Sequence, residues 1–377
     1  MATADGILPS RWVLIPNPYM ETTIMTTATL AHHWCVGIDL HKDTMTVCTY
    51  CRCCGEFSFR KIACKNREQI AEFFRSLPRP HAVAIEAVGF YRWLWELLEP
   101  IVEKLMLADA TQARALAGRR LKTDLEDAQN IAELLADGRL PRAYAPPLEV
   151  QVLRDWTRQR NRLSRAHART LHGVKSLMNI NNRPGPARLS AARLTGYVKA
   201  YGEKLPERHV RMLWQHQRQL SLIEEEMTLC EREIARLLES PRFAATAALL
   251  RTAPGVGPIV SATVLAEVGD FARFPNGKAI GRYAGMTPRV FASGGKERHG
   301  HISKTGPRDM RWVLQQAAWV AIRCDGQIKK RWLSIARGSG KKAAAVAIAR
   351  QLLVTLWQMA RRNAAYQPRI AQSQEAA

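Results

Sequence analysis

The order of the apolar runs in the first third of this chain decides its architecture. Residues 34–40, 44–50 and 57–62 are rich in β-branched, aromatic and cysteine side chains and read as three strands, with Gly55 in the turn between the last two. The pattern then alternates. Residues 66–77 carry Ile70, Phe73, Phe74 and Leu77 at helical spacing, and Pro78 and Pro80 stop them. A buried-type strand follows at 81–85, an apolar helix at 90–98, a strand at 102–107 and a mostly helical stretch at 111–136. Three strands followed by alternating helix and strand predict an α/β layered fold rather than a bundle.

Acids punctuate that framework. Asp39 ends the run Cys35-Val36-Gly37-Ile38, and Glu86 ends Val83-Ala84-Ile85. Asp124 and Asp127 are spaced to share one helix face, from which Glu126 points away. The chain as a whole is strongly basic, with 56 Lys and Arg against 33 Asp and Glu and a formal net charge of +23. Such an excess attracts polyanions. Acids add nothing to affinity in a polyanion groove; there they hold metal ions against phosphates. For any one acid, a helix cap or a surface ion pair is the simpler account. Four in step with predicted elements favour metal binding, hence a nuclease or strand-transfer enzyme.

Pro141, Pro146 and Pro147 mark a boundary. We therefore divide the chain into an N-terminal extension (1–33), an acid-bearing α/β domain (34–147), a helical segment (148–240), a helix-rich C-terminal domain (241–361) and a tail (362–377). In 148–240, Leu153, Trp156, Arg160, Leu163, His167, Leu171, Val174 and Met178 recur at heptad-like steps with two polar breaks. A second seam runs from Leu213 to Leu237, which predicts a helical hairpin or coiled coil. Arg154, Arg158, Arg162, Arg165 and Arg169 form a separate ridge, read as phosphate-facing because only Asp155 opposes the bases of 151–180. An ordinary core seam with a solvated face is the competing reading.

Three further motifs bear on chemistry. Ala253-Pro254-Gly255-Val256-Gly257-Pro258 follows a short helix at 243–251 and opens an apolar helix. It reads as a helix-hairpin-helix element whose Gly255 and Gly257 expose backbone N–H groups to a DNA phosphate; a plain turn is the alternative. Ser293-Gly294-Gly295 lies in a polar loop with Lys296, Arg298, His299 and Lys304, cations able to hold a phosphate that a serine attacks. Ser303 is a second candidate nucleophile. Gly338-Ser339-Gly340-Lys341 lacks the glycine that a phosphate loop requires, because Ile335 holds that place. It reads as the start of a basic helix at 343–361.

The eight cysteines include Cys48, Cys51, Cys53, Cys54 and Cys64. No signal-peptide pattern favours disulfides, and no second Cys pair or nearby His completes a finger spacing, so zinc is not the expectation at this cluster. No run of about 18 apolar residues suggests a membrane span.

Taken in order, Val36-Gly37-Ile38-Asp39-Leu40-His41-Lys42, Ile85-Glu86-Ala87, Lys122-Thr123-Asp124 with Asp127-Ala128, the Pro-Gly-Val-Gly hairpin, and Ser293-Gly294-Gly295 with Ile302-Ser303-Lys304 resemble the transposases of insertion-sequence family 110, the bridge-RNA-guided recombinases. The motifs cover about 35–145 and 245–350; the middle matches in helical character alone. The resemblance implies a ribonuclease H-like (RuvC-like) α/β N-terminal domain, a coiled-coil middle, and a mainly α C-terminal transposase domain. It implies Mg2+ on Asp39, Glu86, Asp124 and Asp127, and Ser293 as a nucleophile that holds cut DNA as a phosphoserine ester. It also implies donor and target DNA, a noncoding guide (bridge) RNA, and homodimers that assemble to tetramers with acids and serine meeting across subunits. The location implied is cytoplasmic and nucleoid-associated, in a bacterium or archaeon, with no membrane. The long N-terminal extension and the cysteine cluster depart from the family pattern.

Three other readings compete. A Holliday-junction-type nuclease would use the acids alone. A non-catalytic nucleic-acid-binding protein would need none of them. An actin-like ATPase also opens on Gly37-Ile38-Asp39, but no glycine follows the aspartate soon enough, and the basic excess argues against it.

Overall fold

Strand β1 (Trp34–Leu40) is buried from Cys35 to Leu40 because it has neighbours on both edges and helices on both faces. It belongs to a computed structural model that describes residues 32–118, 123–186, 188–293 and 296–368, with the side chains of 117 and 290–299 outside the description. The chain divides into two compact units at Ala145/Pro146.

In the first unit, β1, β2 (Thr44–Cys51), β3 (Phe57–Ala63), β4 (His81–Glu86) and β5 (Lys104–Ala108) form a mixed sheet in the order β3-β2-β1-β4-β5. β1 runs antiparallel to β2 and parallel to β4, and β4 runs parallel to β5. Helices α1 (Arg67–Arg75), α2 (Arg92–Leu98), α3 (Ala110–Ala117) and α4 (Asp124–Ala136) complete the unit. The predicted helical stretch at 111–136 is thus two helices. Asp109 caps α3 at the Gln112 N–H, and Thr123 caps α4 at the Glu126 N–H.

Side-chain alternation assigns the two faces. Val36, Ile38 and Leu40 of β1 join Val83, Ile85, Phe74, Leu94 and Leu98 in one apolar core. The opposite face is built from small residues. Cys35, Ala82, Ala84 and Ala108 pack with Ile131, Leu134 and Leu135 of α4. Gly37 belongs to that face, and a Cβ there would lie 2.2 Å from the Ala128 carbonyl oxygen. The missing side chain lets α4 press onto the sheet. A mixed five-stranded sheet followed by a mostly helical region is compatible with the ribonuclease H-like expectation.

The second unit holds α5 (Leu148–Ile180), α6 (Ala191–Tyr201), α7 (Glu207–Leu238), α8 (Ala244–Leu250), α9 (Pro258–Val268), α10 (Gly277–Tyr283), the antiparallel pair β6 (Pro288–Ser293) and β7 (Lys296–Ile302), α11 (Arg308–Cys324) and α12 (Gly326–Arg362). α5 and α7 run antiparallel. The two polar breaks in the α5 seam are each met by an acid of α7: Arg160 donates to Glu231 at 2.8 Å, and His167 lies 3.0 Å from Glu224. One end of the pair packs with α6 around Val174, Met178, Leu194, Leu213 and Leu220. The other end, through Val150, Leu153, Ile234 and Leu238, enters the core formed by α8 to α12. α12 is long and apolar enough to cross a membrane by composition, but Ala344, Ala345, Ile348, Leu352, Leu353 and Leu356 are buried in this unit. Gly340, at φ 78°, kinks α12 just before the basic helix that the sequence predicts at 343–361.

Candidate functional site

Period-two alternation places Asp39 on the same face of β1 as Cys35 and Gly37, and Glu86 on the same face of β4 as Ala82 and Ala84. The parallel register pairs Gly37 with Ala84 and Ile38 with Ile85, so its next step sets Asp39 beside Glu86. α4 lies across this small-residue face and begins at Asp124. Its first turn carries Asp124, Glu126 and Asp127, where the helix dipole favours negative charge. Two strand ends and one helix start therefore deliver the acids to one place.

Asp39 is 3% exposed. His41 Nε2 lies 3.0 Å from Asp39 Oδ2 and 3.2 Å from Asp124 Oδ1. Donor atoms of these three residues lie within 4.8 Å of one another, as a shared cation requires. Burial pushes the Glu86 carboxyl up to about 7, helped by its hydrogen bond to Asp39 and the charges of Asp39 and Asp127, with Arg114 opposing. Asp127 accepts from Arg114 Nη2 at 3.0 Å. Partial desolvation pulls the His41 pKa down, but the charges and hydrogen bonds of Asp39 and Asp124 hold it above its ordinary value.

The donor set suits a hard divalent cation, since it offers carboxylate oxygens and one imidazole. A carboxyl kept close to its neutral form by neighbouring acids marks excess negative charge that such a cation would offset. Sequence reasoning passed over His41 and Arg114. His41 was visible in principle: it continues the 35, 37, 39 alternation one step past β1. Arg114 has no local signal, because α3 brings it to Asp127 only after the fold forms.

The remaining candidates lie in the second unit. Ser293 is the last residue of β6 and pairs with Lys296 of β7, so the predicted loop is a β-hairpin. The signal was Gly294-Gly295 between two β-like runs. Gly294, Gly295 and the side chains of Ser293, Lys296, Arg298 and His299 lie outside the described residues. Ser303 Oγ shares a hydrogen bond with Thr305 Oγ1 at 2.9 Å, and Lys304 is exposed.

The arginine ridge differs from its expectation at three of five positions. Arg158 grips both oxygens of the buried Glu267 at 2.8 and 2.9 Å. Arg154 donates to the Ala266 carbonyl at 2.9 Å, and Arg165 to Asp309 at 2.7 Å. Counting acids near in sequence missed these partners, which come from α9 and α11. Arg162 and Arg169 are exposed. Gly255, at φ 78°, is a packing glycine: a Cβ there would lie 2.3 Å from the Ala317 carbonyl oxygen of α11. Gly257 is open, with nothing within 4 Å of a built Cβ.

A cleft of about 1630 Å³ lies beside the β6–β7 hairpin. Lys304, Arg308, Arg331, Lys341, Lys342 and Arg350 line it, with Trp312 and Ile335 among its apolar residues and no acid among the described residues. The glycine-serine motif at 338–341 borders this cleft, so its lysine serves a cationic wall without the phosphate-loop pattern.

Two family models match the chain. The DEDD transposase model of the IS110 group matches residues 36–181, and the model described as "Transposase IS116/IS110/IS902 family" matches residues 247–333. The chain is 29% identical to a probable family 20 transposase of Pseudomonas aeruginosa, over 88% of this chain and 98% of that protein. It is 25% identical to the transposase for insertion sequence element IS1328 of Yersinia enterocolitica, over 76% and 83% of the two chains. It is 23% identical to the transposase for insertion sequence element IS1111A of Coxiella burnetii, over 88% and 90%.

Proposed function

The chain belongs to the IS110 family of transposases, and from that premise we propose that it cuts and rejoins DNA through a phosphoserine intermediate. The observation that supports this most is the convergence of Asp39, Asp124 and Glu86 at one end of the small-residue face, in a chain of net charge +23. Acids gathered inside a polyanion-binding protein are suited to phosphate chemistry.

In this reading Asp39, Glu86, Asp124 and Asp127 hold a divalent cation, Mg2+ by preference. The bound ion would offset charge on a DNA phosphate. Ser293 Oγ attacks the phosphorus, a new Oγ–P bond forms, and one deoxyribose hydroxyl leaves. The proton that Ser293 loses goes to solvent, and the departing deoxyribose oxygen takes one up. A hydroxyl from another cut strand then attacks the ester, restores the phosphodiester and frees the serine. Acids and serine meet across subunits of a dimer that assembles to a tetramer. A noncoding RNA selects target and donor DNA by base pairing, while Lys296, Arg298, Lys304, Arg162, Arg169 and the open Gly257 turn hold backbone phosphates.

The test is adduct capture. Protein with its co-purifying RNA, target DNA and Mg2+ should yield a DNA adduct that resists SDS, and Ser293→Ala should yield none. An adduct that persists in Ser293→Ala overturns the serine assignment. Nicked DNA without adduct in the wild type supports a hydrolytic junction nuclease that uses the acids alone.

A further inference from the structure

The cysteine cluster has no part in that chemistry, and the fold brings to it the histidine that it lacks in sequence. The Arg52 N–H donates to the His33 carbonyl at 2.9 Å, one step beyond the Trp34–Cys51 pair that ends the β1–β2 ladder. His33 therefore sits over the turn at 51–56. Its Nδ1 lies 3.7 Å from Cys53 Sγ, which lies 3.4 Å from Cys51 Sγ. Cys54 reaches Cys51 through a further side-chain hydrogen bond. All three thiols are free.

We propose that His33, Cys51, Cys53 and Cys54 form a binding site for a thiophilic divalent cation, zinc by preference. Tetrahedral zinc, with Zn–S near 2.3 Å and Zn–N near 2.0 Å, separates its donors by roughly 3.8 Å between sulfurs and roughly 3.5 Å between sulfur and nitrogen. The two observed separations lie close to those edges. The donors run as a chain, His33–Cys53–Cys51–Cys54, which the ion closes by turning side chains. Cys53 and Cys54 are exposed on a turn, where a change between staggered rotamers meets little resistance.

The chemistry separates these cysteines from the others. Burial pushes Cys35 up to about 11 and Cys48 up to about 12, so both stay protonated and packed. Hydrogen bonds from Cys54 and Cys53 shift Cys51 the opposite way, downward. The three thiols release their protons to solvent as the ion binds. Three sulfurs and an imidazole select zinc over magnesium, unlike the carboxylates around Asp39. His33 precedes β1 and Asp39 lies near its far end, about 20 Å away at strand rise. The four-donor site is thus structural: it clamps the chain entering β1 to the β2–β3 turn.

Cobalt titration of the full-length, reduced, metal-stripped protein tests this. One equivalent should bring up the thiolate-to-cobalt charge-transfer band and the intense visible bands of a four-coordinate ion, and zinc should abolish both. Asp39→Asn should leave these bands unchanged, which separates this site from the carboxylate centre. Cys53→Ser should lose the charge-transfer intensity, and His33→Ala should shift and weaken the visible bands. Both positions are exposed, so metal-free circular dichroism should match the wild type. A six-coordinate cobalt spectrum without the charge-transfer band in the wild type overturns the proposal. So do full bands that survive in both Cys53→Ser and His33→Ala.

Discussion

Gly37 of the central strand and Ala128 of α4 meet backbone to backbone: a Cβ on Gly37 would lie 2.2 Å from the Ala128 carbonyl oxygen and 2.6 Å from the Ala132 nitrogen. Neither atom belongs to a side chain that can swing away. The contact fixes how close the helix bearing Asp124 and Asp127 comes to the strand bearing Asp39. Gly37→Ala should push α4 outward and cost about 1–3 kcal/mol in urea unfolding. DNA cleavage should fall further than that loss of folded protein explains. Unchanged stability and cleavage would mean that α4 is not seated by this contact.

Glu86 sets a pH dependence. Its folded-state pKa is raised from 4.5 to about 7, so the folded state keeps a proton that the unfolded chain gives up. Its contribution to stability is greatest below 4.5 and falls as pH rises to 7 and beyond. The full shift corresponds to about 3 kcal/mol, shared with Asp39 and Asp127. His41, raised by Asp39 and Asp124, acts in the same direction. Metal-free wild type should therefore lose more stability between pH 5 and pH 8 than Glu86→Gln does. Equal losses in urea midpoint would remove Glu86 as the cause.

Much of the first unit was legible because its signals are local. Strands end where apolar runs end, and acids at those ends take the face that alternation assigns. The place of Asp39 and Glu86 on two strand ends, and of Asp124 and Asp127 on one helix face, followed from that; the start of α4 at Asp124 did not. Partners supplied by distant elements were not legible. Arg114 reaches Asp127 from α3, and Glu267 reaches Arg158 from α9. Sequence proximity made the arginine ridge look unpaired, when its counter-charges sit more than a hundred residues away. The β6–β7 hairpin is hidden in the sequence because glycine and charge outweigh the short alternating runs beside them.

Arg158 gives a direct check on that ridge. Glu267 is 2% exposed, and among the described residues its carboxylate would keep only Arg154, at 3.7 Å, in Arg158→Ala. The variant should lose about 2–3 kcal/mol, slightly below the usual cost of stripping one partner from a buried pair. The salt dependence of DNA binding should stay unchanged, whereas Arg169→Ala should lower its slope by about 1. A reduced slope in folded Arg158→Ala would return Arg158 to the phosphate surface.

The polar breaks between α5 and α7 should act on register more than on stability. Replacing Arg160 and Glu231 together by leucine should leave the thermal midpoint unchanged or higher. Pairing should become less specific, seen as mixed assembly states in sedimentation. A large drop in midpoint would show that the pair is needed for stability itself.

The central claim is that the acids around Asp39 are a reaction centre inside a protein that binds DNA by charge. Asp39→Asn, assayed side by side for DNA binding by gel shift and for strand cleavage with Mg2+ and guide RNA, tests it most directly. The account predicts binding within a few-fold of wild type and cleavage reduced at least about a hundredfold. Wild-type cleavage in folded Asp39→Asn would contradict it.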